Sequence, residues 1–345
     1  MQFAGRWRRC TDRTRADREL AWELSGLVFR SAAAVTSLNR ETVVRAATRT
    51  GSARTRIRLG ALSVMGPISE HAARRDRGIR FEFLRMRPHD HMCWVITGAR
   101  EFAALAVPFL AEGAALGERL MYVAENPDPA DMMPLAASTD AHALQITSIA
   151  EVYGTGRIVD PTAQLATYAA ALADAVAQGY TGLRVAAENT SLVGDDEQLK
   201  AWMRWEIIAD RFIAENPVTG LCAFDKEKVD AGWLRHLATL HPLSSASGPV
   251  PQFRIYSEAG VLRIEGQVDS SAVTQLWLAL ENLPPETHVV VDLATARLMS
   301  RAVVAGLRQL CDSGVNVTIR GQRVALGELR MSLAQHSDRL VLREV

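Results

Sequence analysis

From Met92 onward the chain alternates short apolar runs of strand length with longer amphipathic stretches of helix length, and this alternation constrains the fold more than any other feature. Met92–Thr97, Leu120–Ala124, Leu144–Ile149, Leu183–Ala187 and Gly220–Phe224 read as buried strands. Between them, Glu101–Leu116, a short stretch near Pro129–Ala137, Pro161–Gln178 and Asp195–Glu215 read as helices, and Lys226–Leu240 follows the last strand. Asp160 and Pro161 are an N-cap and an N1 proline, and Gly179 stops the helix they start. Strands joined by helix-length crossovers require a parallel sheet covered on both faces. The expected class is α/β.

A second, smaller α/β unit is expected over 252–345, after a linker over 242–251 (PLSSASGPVP). Its strands are Phe253–Tyr256, Val261–Ile264, Val289–Leu293, Val315–Ile319 and Leu340–Leu342, with helices over Ser270–Leu283, Arg301–Cys311 and Val324–Ala334. Residues 1–85 differ from both units. They hold 18 Arg, no Lys and 8 acidic residues, although the whole chain has a formal net charge of +0. Few large apolar residues occur there, so a basic, disordered extension is expected. A basic arm for nucleic acid is the competing reading; with no helix-turn-helix visible, nucleic acid is not an expected partner. Met86 directly precedes the first good strand, so a start there is a second way to account for the segment.

The absent residues exclude some chemistry. Lys200, Lys226 and Lys228 are the only lysines, and none follows a glycine, so a phosphate-cradling loop with its lysine is excluded. No apolar run reaches the ~20 residues of a membrane span, and no signal peptide is legible at the Arg-rich start. Cys10, Cys93, Cys222 and Cys311 show no paired spacing, which fits reduced thiols and a cytoplasmic protein. In an open parallel sheet, ligands sit beyond the carboxyl ends of the strands. Gly98, Glu125, Glu188 and Asp225 stand at those ends and are candidate ligand-binding residues. His89, His91 and Cys93 are spaced by two and face one side of a strand, with Cys222 on another. Side chains on one extended segment seldom wrap a single ion, so no metal is expected. His91 is expected buried and hydrogen-bonded beside Cys93, with both as further ligand candidates. Trp202, Trp205, Glu206, Ile208, Ile213 and Trp233 follow helical spacing and read as core or interface packing.

Two resemblances sharpen this picture. The run His89-Asp90-His91-Met92-Cys93-Trp94-Val95, then Phe109 to Gly113, Gly117-Glu118-Arg119-Leu120-Met121-Tyr122-Val123, Gly179 to Arg184 and Leu221 to Asp225 resembles the MEDS sensory domain over 86–241. That resemblance implies a RecA/KaiC-like fold with a decayed phosphate loop, Thr97-Gly98-Ala99-Arg100 standing where the loop would turn, and an unidentified small organic ligand. Gly260 to Asp269, with Val290-Val291-Asp292-Leu293, resembles a STAS domain of the anti-sigma-factor antagonist type. It implies a protein partner such as an anti-sigma-type kinase. Ser300, Arg301 and Ala302 fall where phosphorylatable members carry Asp-Ser-Ser, so neither serine position can accept phosphate. The combined expectation is a non-enzymatic signalling protein without cofactors. A residual enzyme using Cys93 or Glu188, and a structural or dimerisation protein, are the alternatives.

Overall fold

The computed structural model describes residues 75–140, 142–268, 273–281, 288–299, 301–312, 314–333 and 339–345. The basic stretch up to residue 74 lies outside them, as does Ser300. In chain order the first part contains β1 (Gly78–Arg80), β2 (His91–Ile96), α1 (Gly98–Ala115), β3 (Arg119–Ala124), α2 (Met133–Ala136), β4 (Leu144–Ser148), α3 (Ile149–Tyr153), α4 (Pro161–Ala177), β5 (Leu183–Glu188), α5 (Asp196–Glu215), β6 (Val218–Asp225), α6 (Ala231–Thr239) and β7 (Leu243–Ser245). Its seven strands form one parallel sheet in the order β1-β7-β2-β6-β5-β3-β4.

Burial follows position in that sheet. All six residues of the interior strand β2 are buried, whereas the edge strand β4 is mostly partly buried, with Gln145 exposed. A strand covered on both faces has no polar side to offer, and an edge strand has one. Helices α3, α4, α5 and α6 start where a side chain takes orphan amides of the first turn. Asp160 Oδ1 accepts from Thr162 N–H and Ala163 N–H, and Asp195 Oδ1 from Glu197 N–H and Gln198 N–H. Ser148 and Glu151 form a capping box on α3, a short helix that the sequence pattern does not reveal.

The second part contains β8 (Phe253–Glu258), β9 (Val261–Val268), α7 (Val273–Glu281), β10 (Val289–Asp292), β11 (Ala296–Met299), α8 (Arg301–Asp312), β12 (Val317–Gly321), α9 (Arg323–Ser332) and β13 (Leu340–Glu344). Its sheet is mixed: β8 pairs antiparallel with β9, and the other pairings are parallel. Arg301 is the exposed first residue of α8, and Ala302 follows it.

Two expected boundaries differ from the structure. Residues 75–85, read as the end of a disordered extension, carry β1 and the buried Arg75, both upstream of Met86. The stretch 242–251, read as a linker, carries β7, inserted between β1 and β2. Serine-rich composition reads as loop, yet these serines complete the sheet. Ser245 Oγ accepts from Val95 N–H at 2.9 Å, and Ser247 Oγ–H donates to Val95 O at 2.8 Å. Local pattern cannot show that a hydroxyl will stand in for a ladder partner. The buried Arg254 extends the same seam, donating to His241 O at 2.8 Å and to Ser244 Oγ at 2.8 Å. The two sheets are therefore joined by buried polar contacts as well as by the chain.

Arg184 on β5 is fully buried, and α1 is shaped around it. A Cβ on Gly113 would lie 2.5 Å from Arg184 Cδ, 2.7 Å from its Nε and 2.9 Å from Leu120 Cδ2. Gly113→Ala is expected to cost about 1–3 kcal/mol, as overpacking of a filled core does. A urea titration showing a midpoint equal to that of the unsubstituted protein would refute this.

Candidate functional site

A cavity of about 40 Å³ lies between the sheet and helices α3, α4 and α5. That is far below the roughly 300–1,000 Å³ of an ordinary ligand pocket and too small for a nucleotide. Tyr153, Tyr168, Trp205 and Phe212 form much of its wall, and His91, Glu206 and Cys222 supply polar atoms. The aromatic wall is internally fixed. Tyr153 Oη and Tyr168 Oη share a hydrogen bond of 2.8 Å, and the Tyr168 ring stacks on Trp205 with centroids 5.6 Å apart. Burial pushes both phenols above their ordinary range, so they remain neutral.

The polar end draws on four elements. His91 opens β2, Cys222 lies on β6, Glu206 on α5, and His241 just after α6. His91, Glu206 and His241 are fully buried. Parallel pairing sets His91 opposite Gly220, and a Cβ there would come within 3.1 Å of His91 Cδ2, so the absent side chain leaves space for the imidazole. His91 Nε2 lies 3.4 Å from Glu206 Oε2 and 3.5 Å from Cys222 Sγ. His241 Nε2 lies 3.3 Å from the same Glu206 oxygen. The two imidazole rings are 4.1 Å apart between centroids.

Hydrogen bonds on the far side of each ring fix its proton. His91 Nδ1 meets the Asp210 carboxylate at 3.2 Å, and His241 Nδ1 meets Leu237 O at 2.9 Å. Both partners only accept, so both Nδ1 atoms donate. Asp210 also accepts from Arg75 Nη2 at 2.8 Å and from Ser257 N–H at 2.6 Å.

Charge in this site is set by competing effects. Burial pushes the Glu206 carboxyl upward, but His241 and His91 outweigh it and hold the group well below the carboxylate range. Burial likewise opposes ionisation of Asp210, and Arg75, then His91, overcome it. Burial pulls His91 downward, while its hydrogen bonds to Asp210 and Glu206 leave it raised overall. Two imidazolium charges at the observed spacing would repel by about 4 kcal/mol even at an effective dielectric constant of about 20. Burial pushes the Cys222 and Cys93 thiols up, so both stay protonated without a cation nearby.

The structure separates the candidate residues into two groups. His91 and Cys93 lie together on one face of β2, with Cys93 buried opposite Cys222 in register. His89 lies outside the strand with φ of 81° and engages Ile213 O through Nδ1 at 3.2 Å. Gly98, Glu125, Glu188 and Asp225 lie at the carboxyl ends of neighbouring strands and do not line the cavity; Glu188 and Asp225 serve their own loops, and Glu125 reaches the turn after β5. Glu188 accepts from Thr190 N–H at 3.0 Å, Asp225 accepts from Glu227 N–H at 3.0 Å, and Glu125 accepts from Ser191 Oγ–H. Burial, and to a lesser degree the Asp225 charge, raises Glu188. At Gly98 the strand turns into α1 with φ of 76°. There Thr97 N–H donates at 2.7 Å to Glu101, which places a carboxylate where a phosphate would need open amides.

Glu206 has a sequence signal: a carboxylate on a stripe that is otherwise Trp202, Trp205 and Ile213. His241 and Arg75 have none, because they reach the site through tertiary contacts alone.

Residues 90–242 match the family model MEDS, the MEthanogen/methylotroph, DcmR Sensory domain. This segment contains the cavity and all four residues at its polar end; the C-terminal sheet lies beyond the match. MEDS is a sensory-domain family, in keeping with a signalling role. No curated protein matches the chain. Among the described residues no helix is long and apolar enough to cross a membrane.

Proposed function

We propose that this protein is a signalling protein that senses a small ligand in the aromatic cavity and reports its presence through the C-terminal sheet. The carrying observation is the position of α5. Trp205, Glu206, Ala209, Phe212 and Ile213 on that helix line the cavity. On the same helix Ile207 touches the hydrophobic cores of both sheets, and Asp210 accepts from Ser257 N–H on β8. A ligand that shifts α5 acts on β8 through rigid, buried contacts.

The ligand is a small, largely apolar molecule with at most a few non-hydrogen atoms and one polar group. Binding without turnover is favoured because the Cys93 thiol is buried and protonated and Glu188 is engaged in its own loop. The parallel sheet is read as a RecA/KaiC-like scaffold in which Glu101 has displaced the phosphate. The C-terminal unit is read as STAS-like, docking a protein partner of the anti-sigma-type kinase class, with Arg301 making control by phosphate at the helix start unworkable.

One-, two- and three-carbon alcohols serve as probes, with hydrogen exchange as the readout. A saturating probe is expected to slow exchange at the Phe253–Glu258 amides. Ala209→Leu, which fills the cavity at about 1–3 kcal/mol, is expected to abolish that response. Unchanged exchange at saturation, or the same response in Ala209→Leu, refutes the proposal.

A further inference from the structure

We infer that His91, Glu206, Cys222 and His241 form a tetrahedral site for one divalent transition metal ion of the zinc class. The inference does not depend on the ligand reading.

The donor set is one that zinc uses: two imidazoles, a carboxylate and a thiolate. One ligand atom from each of the four residues lies within 4.8 Å of all the others. Bond lengths of about 2.0–2.1 Å to N and O and about 2.3 Å to S give tetrahedral edges near 3.4 Å between N and O and near 3.6 Å between N and S. The observed separations are 3.4 Å for His91 Nε2 to Glu206 Oε2, 3.3 Å for His241 Nε2 to Glu206 Oε2, and 3.5 Å for His91 Nε2 to Cys222 Sγ. Cys222 Sγ to Glu206 Oε2 is longer, at 4.0 Å. Three of these separations thus match tetrahedral edges.

The outward hydrogen bonds of the two rings make the stronger case. Both Nδ1 atoms face outward, to Asp210 and to Leu237 O, so both Nε2 atoms face inward, toward the Glu206 carboxylate. Glu206 Oε1 and His241 Nε2 have no hydrogen-bond partner among the described residues. One metal ion would take both Nε2 atoms and the carboxylate oxygen together and would displace the Cys222 proton. Metal-binding histidines characteristically donate their other ring nitrogen to a carboxylate or a carbonyl, and both arrangements occur here.

Cys93 and His89, which the sequence pattern groups with His91, are not ligands in this geometry. The ion draws on β2, β6, α5 and the segment after α6, and so fastens the helix that lines the cavity to the sheet beneath it.

The full chain, stripped with a chelator and kept reduced, is titrated with Co²⁺. One equivalent is expected to bind with the visible absorption of a tetrahedral cobalt thiolate, and Zn²⁺ is expected to displace it. Cys222→Ala removes the thiolate band. Asp210→Asn keeps all four ligands and weakens binding by about tenfold to a hundredfold. Cys93→Ala leaves the titration unchanged. No bound ion at one equivalent, or a thiolate band that survives Cys222→Ala, overturns the inference. Should Cys222→Ala not fold, X-ray absorption at the zinc edge of the unsubstituted protein decides the matter. One sulfur at about 2.3 Å beside N/O ligands at about 2.0–2.1 Å supports the site, and a shell without sulfur overturns it.

Discussion

Glu118→Ala is expected to lower stability by about 3–5 kcal/mol, the usual cost of leaving one member of a buried ion pair alone. Arg184 and Glu118 have side chains 0% and 1% exposed, and Nε donates to Glu118 Oε2 at 2.6 Å. Arg184 also donates to Met86 O at 2.9 Å and sits over the Phe109 ring, 4.8 Å from its centroid. The guanidinium cannot reach water without disrupting α1. Glu112, 3.8 Å away and partly exposed, offers only a partial replacement. The melting temperature is expected to fall by roughly 10 °C, at about 2–4 °C per kcal/mol for a protein of this size. Replacing both partners, with Glu118→Leu and Arg184→Met together, is expected to recover much of the loss, because it removes the charges as well as their pairing. A thermal melt of Glu118→Ala within 2–3 °C of the unsubstituted protein, a loss of about 1 kcal/mol, contradicts this account.

Asp210→Ala is the second large effect, and it differs in kind. Asp210 accepts from Arg75, His91 and Ser257 N–H, so its loss frees an N-terminal arginine, a ring at the cavity and an amide of the second sheet together. A destabilisation of about 3–5 kcal/mol is expected from the stranded, buried Arg75. Hydrogen exchange is expected to accelerate at Ser257 and its β8 neighbours more than in β3 or β5. Asp210→Asn, which still offers an oxygen to Ser257 N–H but no charge to Arg75, is expected to fall between the two. Uniform acceleration across both sheets contradicts a local role for Asp210 at the seam.

These two side chains illustrate what was legible. Glu118 and Arg184 stand in the short motifs that carry the MEDS resemblance, yet nothing in the motifs says that they pair; β3 and β5 become neighbours only in the sheet. Asp210 lies four residues from Glu206 on α5, so a shared helix face is readable. The partners of both residues come from positions as distant as Arg75 and His241. The boundary differences have the same origin: β1 and β7 are three-residue strands with no periodicity of their own, held by pairing to each other and, through β7, to β2.

The sequence by itself determined the α/β class, the main strands and helices, the capping residues and the absence of a glycine-rich loop with its lysine. Each of these is written in local periodicity or in a residue type that is simply absent. Tertiary structure alone decided that His91 meets Glu206, Cys222 and His241, and that the serine-rich segment completes a sheet. Those contacts join residues as distant as Val95 and Ser247, and their energy lies in burial and charge neutralisation that no local window contains.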